Sequence, residues 1–284
     1  MAPPSYSDLG KACRDIFNKG YNFGVFKLNC KTSTVGGVDI STGGHHSFEE
    51  GKVFGDLETK YKWPAHGITI TEKWNTNNVL VTEITSQDKI TPGAKVSLEG
   101  TFSPDSGKKS GKLKGNYKST NATLDCTVDG ADDSSLLVNG SMVLGYQGWL
   151  GGYQMTFDTV AGILKKNNFS AGYSAGDFQL STAIDNGETF SGSLYQRVNN
   201  RLECGVQLSW TAGGESTTRF GLGARYLLDP QTAIRAKVNN QSQVGLGFEQ
   251  KIRDGVTLTL STFIDGKNFK AGGHKVGLAL ELEQ

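Results

Sequence analysis

No apolar run in the 284 residues approaches the roughly 18–20 that a membrane-spanning helix needs, and mean hydropathy is −0.36. That excludes a protein crossing a bilayer on α-helices and leaves strands open. Apolar residues amount to only 36% while glycine numbers 38, too little for a packed two-layer core of this length but compatible with one polar-lined shell. Charge excess is missing as well. With 29 Lys and Arg against 28 Asp and Glu, no global field points to nucleic acid or an acidic surface, so any electrostatic function must come from where the charges sit. The four cysteines, Cys13, Cys30, Cys126 and Cys204, form no C-x-x-C pair; neither a zinc ribbon nor a disulfide scaffold is expected. Residues 1–10 show neither the apolar core of a secretory signal nor the Arg-rich, acid-poor character of a transit peptide, so no cleaved leader is expected. No nucleophile–base pair, metal cluster or isolated carboxylate pair stands out, so neither an enzyme nor a required cofactor is expected.

The chain contains one helical pattern followed by a long two-residue alternation. Leu9, Cys13, Ile16 and Phe17 recur at helical spacing within residues 5–19, opposite Lys11, Arg14, Asp15 and Asn18, with Ser5 or Ser7 available as a cap. The pattern stops at Gly20-Tyr-Asn-Phe-Gly24, where two glycines suit a stop and a hinge. From residue 25 onward apolar residues alternate with polar ones, as in Val276, Leu278, Leu280 and Leu282 against Lys275, Gly277, Ala279 and Glu281. Turn dipeptides at Asp129-Gly130, Asn139-Gly140, Asn186-Gly187, Asp254-Gly255 and Asp265-Gly266 suggest an antiparallel meander. Roughly 9–11 residues per spanning strand plus about four per turn divide residues 25–284 into about 18–20 strands. Only closure removes the edges of so large a sheet, and a barrel so wide must hold water. The expectation is therefore an all-β membrane protein: a helix and hinge over 1–24, then one transmembrane β-barrel over 25–284.

With the apolar parity facing lipid, the other parity lines the lumen. It carries Lys27, Lys31, Lys60, Lys62, Lys73, Lys95, Lys112, Lys114, Lys118, Arg197, Arg219, Arg225, Arg235, Lys237 and Lys275. Acids of clear lumen parity are fewer: Asp56, Glu58, Glu83, Glu99, Asp125, Glu203, Glu249 and Glu281. A basic lumen favours anions. Glu72 departs from the pattern, sharing parity with Ile68, Ile70 and Trp74 and so pointing at hydrocarbon. Desolvation disfavours its charged form, and such residues are functional candidates. A local bulge turning it inward is the alternative. His45-His46 with Glu49 and Glu50 is read as an exposed loop rather than a metal site. Gly107 to Lys112 only superficially resembles a phosphate loop, because its spacing is one short and Leu113 follows the lysine.

Several stretches together carry a resemblance. They are Tyr6-x-Asp8-Leu9-Gly10-Lys11, Leu57-Glu58-Thr59-Lys60-Tyr61, Thr71-Glu72-Lys73-Trp74-Asn75-Thr76, Leu144-Gly145-Tyr146-Gln147-Gly148-Trp149-Leu150 and Trp210-Thr211-Ala212-Gly213. With them stands the run from Tyr226-x-x-Asp229-Pro230 through Ala236-Lys237-Val238-Asn239-Asn240 to Gly245-Leu246-Gly247. From end to end the chain resembles the voltage-dependent anion channels, the mitochondrial porins of eukaryotes. The resemblance implies nineteen strands, a helix inside the lumen and a gated pore of the mitochondrial outer membrane for ATP, ADP, phosphate and small carboxylates. It also implies a gating role for Lys11, Arg14 and Lys19 with Gly20 and Gly24 as the flexible connection, and an insertion signal in Lys275-x-Gly277-x-x-Leu280-x-Leu282. Regulatory ATP contacts would fall on Lys11 and Lys19, and NAD contacts on Gln243, Val244, Gly245, Ser261, Thr262, Phe263, Ile264 and Asp265. Hexokinase would associate through Glu72, and homo-oligomers through the lipid-facing wall. Gln243 and Phe263 depart from the usual residues, as do His45-His46, Trp63-Pro64-Ala65-His66 and Asp132-Asp133-Ser134-Ser135, which suggests a diverged, invertebrate-type paralogue. The alternatives are a diverged porin paralogue with altered selectivity or gating, a protein-import conduit, which would favour an acidic lumen, and a soluble ligand-binding β protein.

Overall fold

A computed structural model describes residues 2–34, 36–89, 91–130, 136–213, 217–270 and 272–284. The chain after residue 24 folds into nineteen strands. They are β1 (Val25–Ser33), β2 (Val38–Ser47), β3 (Val53–Trp63), β4 (Ile68–Asn75), β5 (Leu80–Gln87), β6 (Ala94–Ser103), β7 (Lys108–Lys118), β8 (Ala122–Gly130), β9 (Leu136–Tyr146) and β10 (Trp149–Asp158). The second half continues with β11 (Ile163–Ala175), β12 (Phe178–Asp185), β13 (Thr189–Arg197), β14 (Leu202–Thr211), β15 (Thr218–Asp229), β16 (Thr232–Asn239), β17 (Gln243–Arg253), β18 (Val256–Asp265) and β19 (Lys275–Glu283). Each strand pairs with its neighbours in sequence, and β1 closes the ring against β19. That closing pair is parallel, with Phe26 opposite Leu278 and Lys31 opposite Glu283. The purely antiparallel expectation fails there because an odd number of up-and-down strands brings the first and last into the same direction.

Two expected turns are also corrected. Asn139-Gly140 lies inside β9, paired with Thr156 and Met155 of β10, and Asn139 accepts a 2.7 Å hydrogen bond from the Thr156 hydroxyl. Ladder partners on both sides override the local turn preference. Asp129-Gly130 closes β8 rather than forming a turn, and the diverged segment Asp132 to Ser135 lies outside the described residues. Gly107 to Lys112 leads into strand β7, not a helix.

Apolar side chains lie outside. Leu57, Ile84, Leu98, Leu113, Leu222, Leu246 and Leu260 are exposed and fall in register on one face. Aromatic residues ring both ends of that face: Trp74, Phe102, Phe157, Phe190, Trp210 and Phe220 at one, Trp63, Tyr117, Tyr146, Trp149 and Tyr226 at the other. In water this surface would be prohibitively exposed, whereas an apolar band between aromatic girdles is what a bilayer solvates. Among the described residues no helix is long and apolar enough to cross a membrane. The strands make the crossing.

The N-terminal helix is shorter than its pattern predicts. A 3-10 turn spans Tyr6–Asp8 and the helix α1 spans Lys11–Asn18, separated at Gly10, whose φ of 67° is left-handed. Gly10 is the N-cap of α1. Ser5 donates to the Asp8 carboxylate at 2.7 Å rather than capping backbone.

Candidate functional site

The helix lies in the lumen with its predicted apolar face packed against the β13–β15 wall. Leu9, Cys13 and Ile16 are 6%, 1% and 2% exposed, and Cys13 and Ile16 cluster with Tyr195 of β13 while Phe17 packs beside them. The wall accepts the helix because the lumen parity of β14 and β15 carries glycine there. A Cβ at Gly223 would stand 2.9 Å from Ile16, one at Gly221 would stand 3.1 Å from Phe17, and one at Gly205 would stand 3.2 Å from Cys13. These glycines were visible only as gaps in the polar alternation. Burial pushes the Cys13 thiol upward, and its Sγ donates to the Val206 carbonyl at 3.4 Å.

The segments flanking α1 are also fixed. The Thr123 hydroxyl of β8 donates to the Pro3 carbonyl at 2.6 Å, and Gly152 of β10 admits Tyr6 and Leu9. Beyond the helix, Gly20 and Gly24 adopt the expected left-handed angles, with φ of 78° and 72°. The chain between them is tied down: the Asn22 N–H donates to Ser261 Oγ at 2.9 Å and the Gly24 N–H to the Val276 carbonyl at 3.1 Å. Burial lifts the Tyr21 phenol to about 12, with Arg235 pulling the other way. The helix charges are largely compensated. Lys11 pairs with Asp8 at 3.0 Å, Lys19 with Asp15 at 2.7 Å, and Arg14 donates to the Leu9 carbonyl at 2.6 Å and to the Ser7 carbonyl.

Half-way round the ring from β14 lie β4 and β5, in a wall whose lumen parity carries the lysines. Lys27, Lys31, Lys60, Lys62, Lys73, Lys95, Lys112, Lys114 and Lys118 all share the lumen face, and so do Arg197, Arg219, Arg225, Arg235 and Lys237 of β13, β15 and β16. Acids are more numerous on the lumen face than alternation alone shows. Register adds Asp39, Asp129, Asp158, Asp185, Asp265 and Glu283 to the lumen, because strand ends give little alternation from which to read a parity. Many cations are consequently paired: Lys62 with Asp39 at 2.7 Å, Lys73 with Glu58 at 2.9 Å, Lys112 with Asp129 at 2.9 Å, Lys31 with Glu283 at 2.7 Å. Lys114 bridges Glu99 and Glu83 at 2.5 and 3.5 Å, Arg225 meets Glu203 at 3.5 Å, and Arg235 meets Glu249 at 3.2 Å. Among the described residues Lys27, Lys60, Lys95 and Arg219 form no ion pair.

The proposed nucleotide segments divide by parity. Gln243, Gly245, Ser261, Phe263 and Asp265 face the lumen, whereas Val244, Thr262 and Ile264 share the outer face with Leu246 and Leu260. Side chains of the outer three point away from the lumen that the other five face, since consecutive side chains on a strand alternate between its two sides. A cavity of about 760 Å³ joins Gln243, Gly245 and Phe263 to Arg14, Arg219 and Lys237, and neither Lys11 nor Lys19 lines it. Glu72 is exposed on the outer face with Trp74, opposite Thr59 and Thr82, without an ion pair among the described residues. No bulge turns it inward.

Residues 2–277 match the family model of eukaryotic porins. The chain is 59% identical over 283 residues to a voltage-dependent anion-selective channel of Drosophila melanogaster, covering 100% of both. It is 56% identical over 281 residues to the non-selective voltage-gated ion channel VDAC2 of Xenopus laevis, covering 99% of each. A solved structure of a substituted Rh. blastica porin, 11% identical, overlays with a TM-score of 0.50 over 84% of this chain and 96% of that one, a likeness of fold alone. With nearly the whole chain matched by that model and relatives more than half identical over its full length, the chain belongs to the eukaryotic porin family.

Proposed function

We propose that the chain forms a voltage-gated diffusion pore of the mitochondrial outer membrane that prefers small anions such as ATP, ADP, phosphate and carboxylates. The observation that carries it is a continuous lumen whose Lys and Arg outnumber its acids, with Lys27, Lys60, Lys95 and Arg219 free of ion pairs among the described residues. Fixed cations on a water-filled wall raise the local anion concentration. The pore is passive; it binds lipid on its outer wall and performs no catalysis. Reversal potential under a salt gradient in a planar bilayer tests the preference.

A second reading is supported by the pairing itself. With Lys31, Lys62, Lys73, Lys112, Lys114, Arg225 and Arg235 neutralised by acids, selectivity is weak, in keeping with the non-selective relative's name. The sign of the reversal potential still favours anions, and its size separates the two readings. Neutralising Lys11, Arg14 and Lys19 together shallows the gating curve if they sense voltage, each charge contributing at most about 2.3 kcal/mol per 100 mV. An unchanged slope removes them as sensors.

Regulatory nucleotide is best accommodated in the cavity beside the helix, where Arg14 and Arg219 would face phosphate. Equilibrium dialysis with ATP and NAD tests it. Hexokinase would associate through the exposed Glu72, and further copies of the chain through the lipid-facing wall; Glu72→Gln with a pull-down of hexokinase tests the first.

A further inference from the structure

One lumen lysine is set apart from the others by what it touches. Lys237 forms no ion pair among the described residues, yet its ammonium donates to the Phe17 carbonyl at 2.6 Å. Phe17 lies in the last turn of α1, where carbonyls lack intrahelical donors and the helix dipole is negative, so a cation there is doubly favourable. The same ammonium lies 4.1 Å from the centroid of Tyr21 and 5.1 Å from that of Phe23, within cation–π range. Phe23 in turn rests 5.4 Å from Tyr21 and 5.4 Å from Phe263 of β18. One wall side chain therefore holds the segment at residues 17, 21 and 23.

Space for this contact is kept by a neighbour. A Cβ at Gly245 would stand 2.8 Å from the Phe23 ring, 2.9 Å from Lys237 Cε and 3.0 Å from its Cγ. The close approach of lysine and ring to the β17 backbone thus requires glycine at 245.

We propose that Lys237 is a positioning residue for gating, a latch that holds the end of α1 and the 20–24 connection to the β16–β18 wall and so sets the voltage at which the pore closes. This deepens the gated-pore reading and rests on it. The latch acts by contact rather than by its charge in the lumen field. That distinction decides the test.

Three variants of the full chain in lipid separate contact from charge. Lys237→Met removes both; Gly245→Ala keeps every charge but pushes Lys237 and Phe23 away; Lys237→Arg keeps the charge and can donate to the same carbonyl. Two readouts are taken, hydrogen exchange at the Lys19, Asn22 and Gly24 amides and the half-closing voltage in planar bilayers. The latch requires Lys237→Met and Gly245→Ala both to speed exchange about tenfold or more, losing a charge-assisted bond, and to move the half-closing voltage in the same direction, with Lys237→Arg near the parent. A shift in Lys237→Met with Gly245→Ala unchanged in both readouts overturns the latch, since only charge would then matter. Faster exchange with an unmoved half-closing voltage also overturns it as a gating device. A parent protein that conducts without closing refutes the gated-pore reading itself, a result distinguishable from either.

Discussion

Replacing Ile16 by Ala tests how the helix is held. Ile16 is 2% exposed, packed with Cys13 and Tyr195 over Gly205 and Gly223. Truncating a buried aliphatic side chain to Ala costs about 2–5 kcal/mol, and the lower half applies because a helix lying on one wall can settle into the space. Since about 1.4 kcal/mol is a factor of ten, a loss of about 2–3 kcal/mol raises the undocked fraction by roughly 30- to 140-fold. Cys13 reports it. Its thiol is 1% exposed and its ionisation is suppressed by burial, so labelling requires undocking. In a background with Cys30, Cys126 and Cys204 changed to Ala, maleimide modification of Cys13 should accelerate by that factor in Ile16→Ala and by less than about twofold in the exposed-site control Asn18→Ala. Equal rates in the two variants, with barrel circular dichroism intact, would refute the docking account.

Lys114→Gln leaves Glu83 directly opposite Glu99 without their shared cation, which should destabilise that pairing by about 0.2–1 kcal/mol and move the reversal potential toward cations; an unmoved potential contradicts a selective role for this site. Glu72→Leu should stabilise the folded barrel in vesicles by up to about 2 kcal/mol, read from urea unfolding, because it removes a carboxylate from the lipid face; destabilisation would show that the carboxylate has a partner there. Asp8 is held below the usual carboxylate range chiefly by the Ser5 hydroxyl, with Lys11 assisting against desolvation. Its contribution to docking is full above about pH 4 and lost as the pH falls through the lowered value, so Cys13 labelling, corrected for thiol ionisation, should quicken under acid in the parent and not in Asp8→Asn.

The barrel was legible because one physical rule governs every strand: period-two alternation repeated in Leu202 to Trp210, Phe220 to Tyr226 and Val276 to Leu282 separates two faces, and strand and turn lengths then give about 18–20 strands, too many for the apolar face to enclose a small ligand. The apolar face of α1 was legible for the same reason. Its break was not, since Gly10 is a helix interruption only because the lumen wall gives Tyr6 and Leu9 somewhere to pack. Asn139-Gly140 misled because turn preference is local and the β9 ladder is not. The lumen acids at strand ends, and the ion pairs they form, depend on register between distant segments such as Lys31 and Glu283. Lys237 could be placed in the lumen by parity, but its hold on Phe17 joins residues far apart in sequence. The glycines of β14 and β15 did leave a trace, a run of missing polar side chains where a helix would later lie.

A gated pore with a basic lumen has an electrical signature that single-channel recording of the purified protein in a planar bilayer under a salt gradient reads without intermediaries. Conductance should come in large steps that close with voltage, with a reversal potential of the sign set by anion movement. Folded, inserted protein that passes no current, or one whose reversal potential has the sign of cation movement, would contradict it.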